Sequence, residues 1–274
     1  SRPPTKTCPV GPTINPERRT LTMLLHHTLE RLHEMRLRGM AEALEEQLET
    51  SAAGDLSFED RLGLLVEREM TWRDDRRLQR LLQVARLRDD ASIEDVNFRA
   101  PRGLDRSLLM RLGSGDWIRH HQVVLIVGPT GVGKTYLACA LGQAACRRGY
   151  ATRYFRMGRL LSEMALARAD GSYAKLLTRL AKTDLLILDD WGLAPLADAE
   201  RRDLLEVLED RYDRRATLVT SQLPIEHWHE YLASPTLADA ILDRLVHGAH
   251  KMILKGGSMR KTEATRRTRD ASPD

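Results

Sequence analysis

The sequence predicts an α/β fold, with a five-stranded, mostly parallel sheet between helices, preceded by a small all-α domain. Two observations carry that prediction. From about residue 107 onward, short apolar runs alternate with helical patterns, the rhythm of strands joined by crossover helices that cover both faces of a sheet. The first hundred residues, by contrast, carry helical periodicity among charges and end in a basic stretch.

The elements follow in chain order. Residues 1–22 hold Pro3, Pro4, Pro9, Pro12 and Pro16 with no apolar periodicity, the composition of a disordered leader. From Met23 to about Thr50, Leu25, Leu29, Leu32, Met40, Leu44 and Leu48 recur at helical spacing, so one helix is expected there. Ser57, with Asp60 three residues on, resembles a capping box that opens a second helix carrying Phe58, Leu62, Leu65, Val66 and Met70. That helix runs into Arg76, Arg77, Arg80, Arg86 and Arg88 with no acid between 76 and 88. Such a run is either a solvated helix face or a nucleic-acid contact. The helical domain is therefore placed at 23–90, and 91–106, with Pro101 and Gly103, reads as a linker.

Beyond the linker, strands are expected at Val123–Val127, Thr152–Phe155, Leu185–Asp189, Thr217–Thr220 and Met252–Leu254. Helices are expected after the first strand through Arg148, at Gly158–Ala169 and Tyr173–Lys182, at Ala199–Arg215, and at Glu226–Leu232 and Leu237–His247. This second domain spans 107–260, and 261–274 reads as a basic disordered tail.

Composition narrows the class. The 274 residues are 42% hydrophobic and 30% charged, an ordinary soluble balance. No apolar run approaches the roughly 20 residues that span a bilayer, and no secretory leader is evident, so a cytoplasmic protein is expected. The three cysteines show no paired spacing, which argues against a disulfide framework or a zinc ribbon. Of 43 basic residues, 36 are arginine. Arginine suits bidentate phosphate contacts, although a genome rich in G and C produces the same bias.

The chemistry is most specific at residues 128–135. Gly128-Pro129-Thr130-Gly131-Val132-Gly133-Lys134-Thr135 fits G-x-x-x-x-G-K-[ST] between a strand and a helix. Glycines let the backbone curl with its N–H groups inward at a helix N-terminus, forming an anion nest. Lys134 can reach the β- and γ-phosphates and the Thr135 hydroxyl can ligate magnesium, so ATP and Mg²⁺ are the expected ligands. A P-loop needs a carboxylate at the end of a buried strand, and Leu185-Leu186-Ile187-Leu188-Asp189-Asp190 supplies two. Asp189 is assigned to the metal and Asp190 to the attacking water.

These residues together resemble the AAA+ ATPases, and more narrowly the IstB-like ATPase subunits encoded beside insertion-sequence transposases, relatives of bacterial helicase loaders. The marks are Leu37-Arg38-Gly39-Met40-Ala41-Glu42-Ala43, the P-loop followed by Tyr136-Leu137-Ala138, and residues 185–192 ending Asp-Asp-Trp-Gly. Thr-Ser-Gln-Leu-Pro at 220–224, Leu-Asp-Arg-Leu at 242–245 and Gly-Ser-Met-Arg at 257–260 complete them, so the resemblance covers about Met23 to Arg260. It implies an AAA+ core; because little lies between Arg244 and Arg260, the helical lid domain of many AAA+ proteins is expected to be reduced or absent. Tyr136 and Arg260 join the nucleotide site, Arg260 in the sensor 2 position. Gln222 takes the sensor 1 position, and Arg244 that of an arginine finger reaching a neighbouring subunit's ATP. Asp190 stands where many AAA+ proteins have glutamate, which implies slow hydrolysis. The helices at 158–182 take the place of an element that lines DNA in initiators and loaders. Arg156, Arg159, Arg168, Lys175 and Arg179, with Arg76, Arg77 and Arg80, are the candidate phosphate contacts.

His227 and His229 are two apart and do not share a helix face, so no metal is expected there. Cys139 and Cys146 fall seven apart on the helix after the P-loop and read as core. No nuclease or hydrolase motif is present. The resemblance implies a transposition helper ATPase that forms a homo-oligomer on double-stranded DNA, with ATP at subunit interfaces and a transposase as partner. The alternatives are a replicative helicase loader, an ATP-binding architectural DNA protein with incidental hydrolysis, and a small-molecule P-loop kinase.

Overall fold

The computed structural model describes residues 26–50 and 55–259, and the chain divides into two compact units between Arg77 and Leu78. The proline-rich leader, the basic tail and Arg260 lie outside the described residues.

In the first unit, residues 26–34 are helical, the chain turns at 35–37, and helix α1 (Arg38–Glu49) follows. The single helix expected from Met23 to Thr50 is thus broken, because Arg36 takes a left-handed backbone with φ 60° that no continuing helix can hold. Helix α2 (Phe58–Ala85) opens on the expected box: the Asp60 amide donates to the Ser57 hydroxyl, which in turn donates to the Asp60 carboxylate. No side chain caps α1 locally. Its Met40 amide instead donates to the Glu69 carboxylate of α2 at 3.2 Å. Glu69 is buried, and a carboxylate at a helix N-terminus is stabilised by the free N–H groups there. Gly39 allows the close approach. A Cβ at that position would sit 2.8 Å from the Arg68 carbonyl and 2.8 Å from Glu69 Cα.

The second unit is built on five parallel strands, β1 (Val123–Val127), β2 (Thr152–Arg156), β3 (Leu185–Trp191), β4 (Ala216–Ser221) and β5 (His250–Ile253). Their order across the sheet is β2-β3-β4-β1-β5. Alternation along each strand feeds two cores. Val124, Ile126, Leu185, Ile187 and Leu218 face one core with helices α3 (Arg106–Gly113), α4 (Asp116–Arg119) and α5 (Lys134–Arg147). Leu125, Val127, Leu186, Leu188 and Val219 face the other core. That one is covered by α6 (Met157–Asp170), α7 (Tyr173–Lys182), α8 (Asp198–Arg211), α9 (Trp228–Leu232) and α10 (Pro235–Val246).

Residues 91–106, expected as a linker, belong to this unit: Ala91, Ile93 and Val96 are buried in the first core, and Arg102 is buried beside the P-loop. The helical pattern also stops at Ala85 rather than residue 90, where Arg86 adopts φ 52°. Helices α3 and α4 have no counterpart in the sequence reading. Between Val246 and Met259 the chain holds β5 and turns, with no helical lid among the described residues.

Candidate nucleotide site

The site sits where the carboxyl ends of β1, β3 and β4 meet α5. Val123–Val127 delivers the chain into the loop, and Gly133, at φ 94°, is the residue from which α5 starts. A side chain there would be strained by that φ, and its Cβ would lie 2.5 Å from Arg102 Nη1. Lys134 is buried, and its ammonium donates to the carbonyls of Gly128 at 2.7 Å and Pro129 at 2.9 Å. Burial pushes this ammonium below its usual range, while Asp189 and Asp190 pull it back up. Val132 is buried, and its carbonyl accepts from Arg102 at 2.9 Å.

The acidic strand end departs from regular pairing. Leu188 faces Val219 and Trp191 faces Ser221, so Asp189 and Asp190 together oppose Thr220 alone. This is a bulge, and Asp190 occupies it at φ 64°. Consecutive strand residues normally point to opposite faces, and the bulge breaks that rule here. Asp189 turns inward and is 1% exposed. Its carboxylate accepts from the hydroxyls of Thr135 (3.0 and 3.1 Å), Tyr154 (2.5 Å) and Thr220. Asp190 faces the cavity beside the P-loop, with its amide donating to Thr220 Oγ1 at 3.3 Å and its carboxylate paired to Arg156 Nε at 3.1 Å.

That cavity, of about 480 Å³, brings together Thr130, Gly131, Gly133, Lys134, Thr135, Tyr136, Asp190 and Gln222. Thr130 Oγ1 donates to Gln222 Oε1 at 2.6 Å, tying the loop to the end of β4. Sequence reasoning missed several residues of the same wall, among them Arg88, Asp95, Asn97 and Arg102. Only the basic run ending at Arg88 offered a signal; Asp95, Asn97 and Arg102 come from the supposed linker.

The other candidates lie elsewhere. Arg244 donates to Glu209 at 2.8 Å and to the Ala240 carbonyl at 2.7 Å. It lines a different cavity, with Gln122 and Val123 at the amino end of β1, and does not join the nucleotide cavity of its own chain. Arg156 was expected among DNA contacts, but β2 pairs beside β3 with Arg156 opposite Asp189, which carries its side chain into the nucleotide cavity. Arg168 pairs with Asp203 and Arg179 with Glu163. Arg159 and Lys175 are exposed on α6 and α7, as are Arg76, Arg77 and Arg80 on α2. Cys139 and Cys146 are buried core residues.

A parallel sheet of this strand order, with a P-loop on β1 and acids on β3, has the AAA+ P-loop fold. The family model of IstB-like ATP binding proteins matches residues 30–267, and the chain belongs to that family. It is 54% identical over 241 residues to y4pL of Sinorhizobium fredii, which is named as an insertion sequence ATP-binding protein, covering 88% of this chain and 98% of that one. The protein named for ATP binding in insertion sequence IS21 of Pseudomonas aeruginosa is 30% identical, over 86% of this chain and 90% of its own. Among solved structures, DnaI aligns with a TM-score of 0.52 at 20% identity, over 64% of this chain and 93% of that chain. AMPPCP-bound DnaA from Aquifex aeolicus also reaches 0.52, at 17% identity, over 68% of this chain and 56% of that chain. These two likenesses concern the fold. Among the described residues, no helix is long and apolar enough to cross a membrane.

Proposed function

We propose that this protein is a magnesium-dependent ATPase of the cytoplasm that assembles on double-stranded DNA and recruits or stimulates a partner transposase. The observation that carries the enzymatic part is the bulge at Asp189–Asp190, which leaves one carboxylate buried against Thr135 and the next facing the cavity beside the P-loop. Thr135 and Asp189 offer hydroxyl and carboxylate oxygens, hard donors suited to Mg²⁺, and these residues would hold it. Bound there, the ion offsets charge on the phosphates.

The chain's own residues have separate tasks in this reading. The loop from Gly128 to Thr135 wraps the phosphates, Lys134 spans the outer two, and Tyr136 borders the nucleotide. Asp190 orients the attacking water and Gln222 steadies it in this reading, which is supported by both residues lining one cavity and by the bond from Thr130 to Gln222. Arg244, remote from its own chain's cavity, acts on ATP bound by a neighbouring copy, and Arg260 completes the site. ATP would thereby bridge two copies. Exposed Arg76, Arg77, Arg80, Arg159 and Lys175 supply phosphate contacts to DNA. The insertion sequence names of the relatives support a role in transposition.

A second reading, an ATP-binding architectural protein with incidental hydrolysis, is favoured by the Arg156–Asp190 pair, which occupies the carboxylate assigned to water. Asp190→Asn separates the two. The ATPase reading expects retained ATP binding, lost phosphate release and reduced transposition, whereas undiminished transposition favours the architectural one. Recovery of a replicative helicase rather than a transposase in pull-downs would instead point to a loader.

A further inference from the structure

We propose that Arg88 is a polyphosphate-binding residue of the nucleotide site. The inference rests on the reading of that cavity as an ATP site and adds a contact from outside the P-loop and the strand ends.

The path of the chain places Arg88 there. Thr135, Cys139 and Gly142 stand at i, i+4 and i+7 on α5, and so share one helix face. The segment that follows α2 lies along that face. Leu87 packs onto Gly142, where an added Cβ would come within 2.9 Å of Leu87 Cδ2. The Cys139 sulfur lies against the backbone amides of Arg88 and Asp89. Two small residues thus seat the segment, and the next position up the face is Thr135, at the phosphate end. Arg88 and Thr135 line the same cavity.

The donors available there single Arg88 out. Among the described residues, four cationic side chains line the cavity: Arg88, Arg102, Lys134 and Arg156. Arg102 is buried and donates to the backbone carbonyls of Val132 and Asn97. Lys134 donates to two loop carbonyls, and Arg156 pairs with Asp190. Arg88 is exposed to the cavity and neighbours the Tyr154 hydroxyl, whose own proton goes to Asp189. A guanidinium carries five N–H donors in a planar fork that matches phosphate oxygens, so most of its capacity faces the ligand space. A neutral tyrosine neighbour leaves the Arg88 charge in place. An anionic phosphate chain lying along Thr135 therefore meets a cation from outside the P-loop in the same cavity.

Nucleotide titrations with the full-length chain test this, using fluorescent ATP and ADP on the wild type, K134A, R88Q and R88K. Arg88→Gln removes the charge and shortens the side chain, and Arg88→Lys keeps the charge on a longer stem. The expected result is about 10-fold weaker binding of both nucleotides by R88Q, the size of a lost charge-assisted hydrogen bond, with most of it restored in R88K. Unchanged thermal unfolding of R88Q assigns the loss to contact rather than folding. If R88Q destabilises the protein, R88K decides, since wild-type-like affinity from a retained charge supports the inference and fully lost affinity opposes it. Wild-type affinity in R88Q overturns the role of Arg88 and leaves the ATP site standing. Failure of the wild type itself to bind, or K134A binding as well as wild type, overturns the site.

Discussion

Arg156, the last residue of β2, holds the carboxylate of Asp190 through a 3.1 Å ion pair at the mouth of the nucleotide cavity. The two are brought together by the β2–β3 register and by the bulge that swings Asp190 out of its strand. Asp190 is the group assigned to water, so the pair restrains it while Arg156 remains in place. Replacing Arg156 with alanine should raise DNA-independent ATP turnover by about 5-fold, equivalent to about 1 kcal/mol for a partly exposed pair. Phosphate-release assays measure this, and a fall in turnover would show that Arg156 assists the reaction instead.

The first unit depends on the absence of a side chain at Gly39. An alanine Cβ would meet the Arg68 carbonyl and Glu69 Cα, backbone atoms of α2 that cannot swing aside. Gly39→Ala is expected to cost about 1–3 kcal/mol, the range for overpacking. Chemical denaturation followed by the Trp72 signal checks it, because Trp72 lies in the same contact. An unshifted transition would mean that α1 and α2 have room to separate.

Burial pushes the Cys139 thiol up to about 11 and raises that of Cys146 as well. Both should therefore stay protonated and shielded at pH 8, and resist a thiol reagent until the protein unfolds. Rapid labelling of either one in the native protein, located by peptide mass, would contradict the packing of α5 against the sheet.

His250, at the start of β5, is held below its ordinary value, first by burial and then by the nearby Arg111 charge. The unfolded chain then binds the proton more readily than the folded one. Stability contributed by neutral His250 is full above pH 6.5 and declines as the pH falls through that value toward the lowered folded value. His250→Gln should flatten this decline in unfolding midpoints measured from pH 7.5 to 5, whereas parallel profiles for the two proteins would assign the decline to other groups.

The sheet was legible in the sequence because β1 and the first four residues of β3 are unbroken apolar runs. Strands β2 and β4 are short β-branched or aromatic stretches between helical patterns. Val123–Val127 and the helix Tyr173–Lys182 fall where the pattern puts them, and the remaining strands shift by one or two residues at their ends. The P-loop was legible because its chemistry is local and carried by consecutive residues. What escaped depends on distant partners. The bulge exists only against Thr220 of β4, and nothing in Asp189-Asp190 itself announces it. The break at Arg36 lies inside an uninterrupted leucine pattern. Ala91, Ile93 and Val96 are too few and too irregularly spaced to look like core, yet α5 and its neighbours bury them. Arg88 and Arg102 reach the nucleotide cavity for the same reason, through a segment that resembles a linker when read without its surroundings.

Whether ATP bound at this P-loop drives assembly on DNA is decided by sedimentation of the 274-residue chain with duplex DNA, Mg²⁺ and a non-hydrolysable ATP analogue. The expected result is a large nucleoprotein species that needs all three components and is lost in Lys134→Ala and in Arg244→Ala, the latter still binding nucleotide. A chain that remains monomeric under those conditions, or assembles equally well without nucleotide, would contradict it.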